Sequence, residues 1–455
     1  MLKRLLGLSI FFLFIANCVF FVNISSASDY SKISWEGIYN GGSERDDLFS
    51  FFQTNDGGFI AIGRTYSFRD NAQIWLVKTD ENGNEEWNKT YGEENGGLGG
   101  SVQQTSDGGY ILGGATNIYS EHNNRDFWLV KTDENGNEEW NLTFENDTTD
   151  QSFCHSIQQT DDGGYIAVGY IDISFVDRDF IVIKIDVNGS VLWNKTFGGK
   201  GIYDHDFDTG EDNSFYSDDE AKSIQQTSEG GFIVAGNTNY DTTGSDDIWI
   251  IKLNESGIEE WNKTFGGTEF EQAERVQQTN DGGYIIIGET HSFDLDGGDI
   301  WIIKIDNNGN KEWDKTIGGK SEDWGLDIQQ TIDDGYIIAG HTKSYSDYHE
   351  DSWIIKTDNN GTEEWDRLLQ WNDTVVYSIK QINDGNYVTA GYGYFEPGDS
   401  YGCLIKIPSG TYSSDSEKFN EKKEEENKKT PGFEFSLLLI VLVFIYFLGK
   451  RKIKK

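Results

Sequence analysis

The string Gln-Thr-x-Asp-Gly-Gly-aromatic recurs seven times along the chain, with its Gln at positions 53, 104, 159, 226, 278, 330 and 381. No other feature limits the fold as strongly. A fixed period of about fifty residues means one supersecondary unit stacked against copies of itself. Three copies deviate: Glu229 replaces the Asp, Asp334 replaces the first Gly, and the last copy has Ile382 for Thr and Asn386 for the second Gly. The spacings are 51, 55, 67, 52, 52 and 51 residues, and the long one locates an insertion between Gly199 and Ala221.

Each copy holds four short strand-like segments. In the second copy they are Ser101–Thr105, Tyr110–Gly114, Phe127–Lys131 and Glu139–Thr143. The first two are joined by Asp-Gly-Gly and the last two by Asp-Glu-Asn-Gly-Asn, both tight-hairpin sequences whose Gly and Asn accept positive φ. Four antiparallel strands cannot bury both faces alone, whereas copies stacked radially can. The expected fold is therefore all-β, a seven-bladed β-propeller of four-stranded antiparallel blades. Fourth-strand segments carry Trp35, Trp87, Trp140, Trp193, Trp261, Trp313 and Trp365, and the last copy ends after its third strand. The N-terminal strand around Trp35 is thus expected to complete the last blade and close the ring, removing an exposed edge.

Five more Trp occupy the third strand, at 75, 128, 249, 301 and 353, with Ile181 and Cys403 in the remaining slots. Twelve of the fourteen Trp are therefore blade-packing residues. A Lys follows three residues later in all seven copies, which suggests a repeated pair with a turn carboxylate. The hairpin with its Trp resembles the tryptophan-docking motif of quinoprotein-type propellers, across roughly the whole body. It has one residue fewer between Asp and Gly, and the chain has no adjacent Cys pair and no Cys-x-x-Cys-His. Quinone and haem chemistry are therefore not carried over.

The ends set the expected compartment. Lys3 and Arg4 precede an apolar run from Leu5 to Val22 and then small residues, the layout of a secretory signal over 1–28. A lipoprotein reading at Cys18 is disfavoured by Asn17 and by the apolar run that continues past it. Residues 411–430 read as a charged spacer. Residues 431–455 combine Pro431-Gly432-Phe433, one apolar span and a basic tail. The span is just long enough for a C-terminal transmembrane helix, and the tail would stay inside. This segment resembles the PGF-type C-terminal sorting signal of archaeosortases. The resemblance implies that Pro431, Gly432 and Phe433 are recognition residues and that a lipid anchor replaces the helix after processing. A plain membrane anchor gives the same topology, with the propeller, 29–410, on the extracellular face of the membrane.

The propeller region holds 25 Lys and Arg against 71 Asp and Glu, a charge of −46 within a chain of −41. That surface excludes a nucleic-acid partner and suggests cations or cationic partners. Three Cys are too few for a zinc ribbon or a disulfide framework.

The two hairpin turns share one face of the ring, so recognition is expected on the other, where loops vary in length and content. All six His (122, 155, 205, 291, 341 and 349) fall on or beside those loops. The simplest reading is that the formulaic turns leave no slot for them. In the insertion, Asp204, Asp206, Asp208 and Asp212 resemble a calcium loop, although its Gly comes one position late and no Glu stands twelfth. Asp294, Asp296 and Asp299 form a weaker second candidate. Trp324 and Trp371, the two Trp outside the blade pattern, are placed on loops of that face and suggest a protein- or glycan-binding surface. Asn88, Asn141, Asn194 and Asn262 lie in Trp-Asn-x-Thr sequons on the outer strand, where a glycan could project.

The expected function is a surface-anchored binding, adhesion or scaffold module for protein or glycan. The alternative is a secreted carbohydrate-active enzyme on the same scaffold. No nucleophile elbow, phosphate loop or HExxH motif appears. Acidic pairs are too abundant to nominate a catalytic acid and base.

Overall fold

The computed structural model describes residues 33–410 with 415, 416 and 418, apart from 43, 70, 93–95, 119–124, 145–150, 175, 200–215, 241–244, 294–296, 346–349, 370–373 and 397–398. Seven antiparallel sheets are arranged as blades around a central channel. In blade 1 the strands run from the channel outwards as Asp46–Gln53, Phe59–Thr65, Gln73–Thr79 and Glu85–Tyr91. The middle two are almost wholly buried and the outer one is largely exposed. This is why middle strands such as Gln73–Thr79 read as near-continuous apolar runs, while the outer strand is polar around its Trp. Blade 3 gains a short parallel strand, Ser217–Asp218, from the end of the insertion. Among the described residues no helix is long and apolar enough to cross a membrane, and the spacer beyond 418 and the segment 431–455 lie outside them.

The ring closes as expected. Trp35–Tyr39 pairs antiparallel with Asp399–Ile407, so the N-terminal strand becomes the outer strand of blade 7.

Each part of the repeated string has a structural task. The turn Asp accepts from the preceding Thr hydroxyl and the second Gly N–H, and it also meets the third-strand Lys. In blade 2, Lys131 lies 2.9 Å from both Asp107 and Glu139. Blade 4 departs from this arrangement, because Glu229 replaces the Asp and Lys252 is left with Glu260. The string's aromatic residue meets the outer-strand Trp of the preceding blade at all seven junctions, with centroids 5.7 to 6.1 Å apart. In six of these junctions the same Trp also covers the left-handed Gly in the turn between the third and outer strands of the following blade. A Cβ on Gly136 would lie 2.8 Å from Trp87, so no larger residue fits.

The recurring Gln forms a belt. Its Oε1 accepts from a turn N–H of the preceding blade at every junction, from Asn55→Gln104 at 2.8 Å round to Asn383→Gln53 at 3.1 Å. A second belt lies one residue earlier, where Gln103, Gln158, Gln225, Gln277 and Gln329 accept from the next blade's backbone. It is interrupted at Phe52 and Lys380.

Candidate functional site

The inner strands are longer than the sequence suggests. They begin three or four residues upstream of the expected start and carry a β-bulge just before the recurring Ser. The register skips one residue in every blade: Phe49, Gly100, His155, Lys222, Glu274, Leu326 and Tyr377. A bulge leaves one residue unpaired and re-aims its side chain. All seven positions are half-buried, and together they ring a cavity of about 370 Å³ at the mouth of the channel.

A Gly on the second strand makes the bulge possible. Opposite each bulge stands Gly63, Gly114, Gly169, Gly236, Gly288, Gly340 or Gly391, where a Cβ would come within 2.2 Å of an inner-strand carbonyl oxygen. This Gly recurs in the sequence and is the signal that could have located the bulge.

The mouth has two kinds of wall. On the side of blades 7 and 1, Tyr377 packs edge-on against Phe49 at 5.3 Å, and the Arg64 guanidinium lies 5.5 Å from the Phe49 centroid while bonded to Asp47. On the side of blades 3 to 5 the groups are ionisable. Glu220 accepts from His155 at 2.5 Å and from Lys222 at 2.9 Å. Although burial opposes it, these partners hold the Glu220 carboxyl well below the usual carboxylate range. Burial, together with nearby Lys222, lowers His155, which therefore donates as a neutral imidazole. Burial raises Glu274, against the pull of Lys222 and Arg275.

Below the mouth the channel narrows to a lumen of about 190 Å³, lined by serines and glutamines. Two inner-strand residues break the serine ring. Arg275 and Asp327 stand where the other five blades carry Ser, and they pair at 2.9 Å.

Of the residues singled out from sequence, Trp324 lies near this site. It is the second residue of an inner strand, Asp323–Gln330, and not part of a loop. It sits two positions before Leu326, half-buried, with the Lys343 ammonium 4.6 Å over its ring. Trp371 lies outside the described residues, as do Asp204, Asp206, Asp208, Asp212, Asp294, Asp296, Pro431, Gly432 and Phe433. Asp299 is the first residue of a third strand. Asn141, Asn194 and Asn262 are exposed on outer strands, and Asn88 is half-buried. His341 is a core residue bonded to Val376 O at 2.9 Å. His155 faces the cavity. Cys154 and Cys403 are free and buried. No group of three or more metal-ligating side chains occurs among the described residues.

No protein-family model matches the sequence, and no curated protein is similar to it. Solved structures match the chain at low identity and with TM-scores below 0.5. YCF48 bound to D1 peptide is 11% identical, with a TM-score of 0.45 over 85% of this chain and 99% of that one. The Pan2 WD40 domain of Neurospora crassa is 10% identical, with a TM-score of 0.46 over 81% and 91%. An ulvan lyase bound to a saccharide is 12% identical, with a TM-score of 0.47 over 83% and 96%. The chain is a seven-bladed β-propeller on its own strand topology.

Proposed function

We propose that the protein is a surface-anchored extracellular propeller that binds a glycan or protein ligand at the mouth of its channel, on the variable loop face. One observation carries this reading. The channel is uniform at its formulaic end, where all seven blades present Gln, and individual at its mouth, where seven bulges present seven different residues. A scaffold needs no such asymmetry, whereas a recognition site does. Export through 1–28 and anchoring through Pro431, Gly432, Phe433 and the span after them belong to the same proposal. So do glycans on the outer-strand Asn residues and calcium at the insertion.

The test is a glycan and peptide array probed with the full chain and with Tyr377→Ala and Phe49→Ala. Loss of binding in both variants supports the mouth as the site. Ligands bound equally by both variants would place recognition elsewhere.

A second reading, a carbohydrate-active enzyme, is favoured by one group. Glu274 is a carboxyl raised by burial in the same cavity as His155 and Tyr377, the environment a general acid requires. Turnover of a bound glycan that is lost in Glu274→Gln with binding retained would establish it.

A further inference from the structure

Lys380 is the odd residue of the lumen. Five other blades carry Gln at its position, and each of those accepts a backbone N–H from the next blade. Lysine has three donors and no acceptor, so it cannot make that bond. Lys380 is half-buried in the lumen wall, where burial lowers its pKa against the pull of Asp327. No hydrogen-bond acceptor reaches it among the described residues.

The nearest counter-charge is already engaged. Asp327 accepts from Arg275 Nε at 2.9 Å and Ile328 N at 3.0 Å on Oδ1, and from Ser378 Oγ at 2.8 Å and Ile379 N at 2.9 Å on Oδ2. A carboxylate offers about four lone-pair sites, so none remains for Lys380. Arg275 spends only Nε on that pair, and among the described residues nothing accepts from its two terminal amino groups. A protein with a propeller charge of −46 thus places two basic side chains with spare donors in its channel, Lys380 in the lumen and Arg275 between the lumen and the mouth with its aromatic rings. Such donors in a partly dehydrated site are favoured partners for an oxyanion.

We propose that the lumen is an anion subsite, in which Lys380 and Arg275 receive a carboxylate or sulfate group of an acidic glycan held at the mouth. The inference rests on the ligand-binding reading above and names its ligand class. The rings of Phe49, Phe153 and Tyr377 suit sugar faces, and the lumen serines and glutamines suit ring hydroxyls. These features favour a saccharide over an acidic peptide. Such a ligand is opposite in sign to the cationic partners that the acidity of the whole propeller suggests.

The test is calorimetric titration of the full chain with four probes: tetragalacturonate, its methyl ester, a sulfated neutral tetrasaccharide and tetraglutamate. The variants are Lys380→Gln and the double change Arg275→Ser with Asp327→Ser, each restoring what most other blades carry and so compatible with folding. We expect tetragalacturonate or the sulfated sugar to bind, the two arms separating carboxylate from sulfate. The methyl ester and both variants should lose about 10- to 100-fold in affinity, the scale of hydrogen bonds to charged groups. Equal affinity for acid and ester, or variants that bind like the parent, would overturn the anion subsite and leave binding at the mouth standing. Tetraglutamate as the sole ligand would overturn the glycan assignment. Absence of any binding would remove both.

Discussion

The Asn383 backbone N–H donates to Gln53 Oε1 at 3.1 Å, joining residues 330 positions apart by the same bond that fastens every other pair of neighbouring blades. The chain runs on beside this bond, from Trp35–Tyr39 of blade 7 into Asp46–Gln53 of blade 1, so the junction is fastened like the other six, and the non-covalent closure lies inside blade 7, between Trp35–Tyr39 and Asp399–Ile407. Gln53→Ala should therefore cost about 1–2 kcal/mol in urea denaturation. The equivalent change at Gln226, which accepts from Asp161 N, should cost about the same. A markedly larger loss at Gln53 than at Gln226 would contradict this equivalence.

Blade 4 offers a gain. Lys252 has one carboxylate partner where Lys131 has two, because Glu229 stands in place of the turn Asp. Glu229→Asp should add the missing pair and raise stability by up to about 1 kcal/mol, the pair being partly exposed. Thermal melts of the two proteins at low salt read this out, and no rise would mean that the single pair suffices.

Blade-to-blade packing makes a steeper prediction. Trp365 is buried against Tyr387 with centroids 6.0 Å apart. Trp365→Ala should cost about 3–5 kcal/mol, more than Trp87→Ala, whose ring is half-exposed. A smaller loss at 365 than at 87 in denaturant melts would contradict this packing account.

Stability should peak in mild acid. Although burial works against it, the Thr hydroxyl, the Lys ammonium and a Gly N–H hold Asp56, Asp162 and Asp281 at about 2. Their contribution is present above the unfolded value of 3.8 and is lost as pH falls through about 2. Burial raises Glu36, Glu289 and Asp179 to about 7 and Asp246 to about 6. Their contribution is present below the unfolded values of 4.5 and 3.8 and is lost as pH rises through 6 to 7. The melting temperature should therefore be highest near about pH 4–5 and decline towards pH 8. Glu36→Gln with Glu289→Gln should flatten that decline. A melting temperature that climbs from pH 5 to 8 would contradict the assignment.

Calcium at Asp204, Asp206, Asp208 and Asp212 is tested by chelation. If the insertion holds the ion, removing it should lower the melting temperature by several degrees, in proportion to site occupancy. An unchanged melt would remove those residues from consideration.

Blade number, strand order and ring closure were legible because each blade repeats the residues that make it. Asp and Gly of the turns, Lys of the third strand and Trp of the outer strand meet the same kinds of neighbour in most blades. The mouth was not legible for the opposite reason. Phe49, Gly100, His155, Lys222, Glu274, Leu326 and Tyr377 share no chemistry, so no pattern search aligns them, and the expected inner strand began at the Ser just after the bulge. Trp324 was set on a loop for the same reason. The second-strand Gly was visible, yet a Gly in a strand has several causes, and only the carbonyl pressing against it reveals which one applies.

The bulge also separates two obligations that a regular strand would join. Below it, side chains lock blade to blade, and a substitution disturbs the ring. At the bulge, the side chain lines the cavity, and much of what it touches belongs to the mouth itself, as Tyr377 touches Phe49. These positions can therefore change together with their neighbours at the mouth while the architecture persists, except Gly100, where a Cβ would lie 2.6 Å from Cys154 O. A lineage built on this repeat could move from one ligand to another by substitutions at the mouth, without passing through an unfolded intermediate sequence.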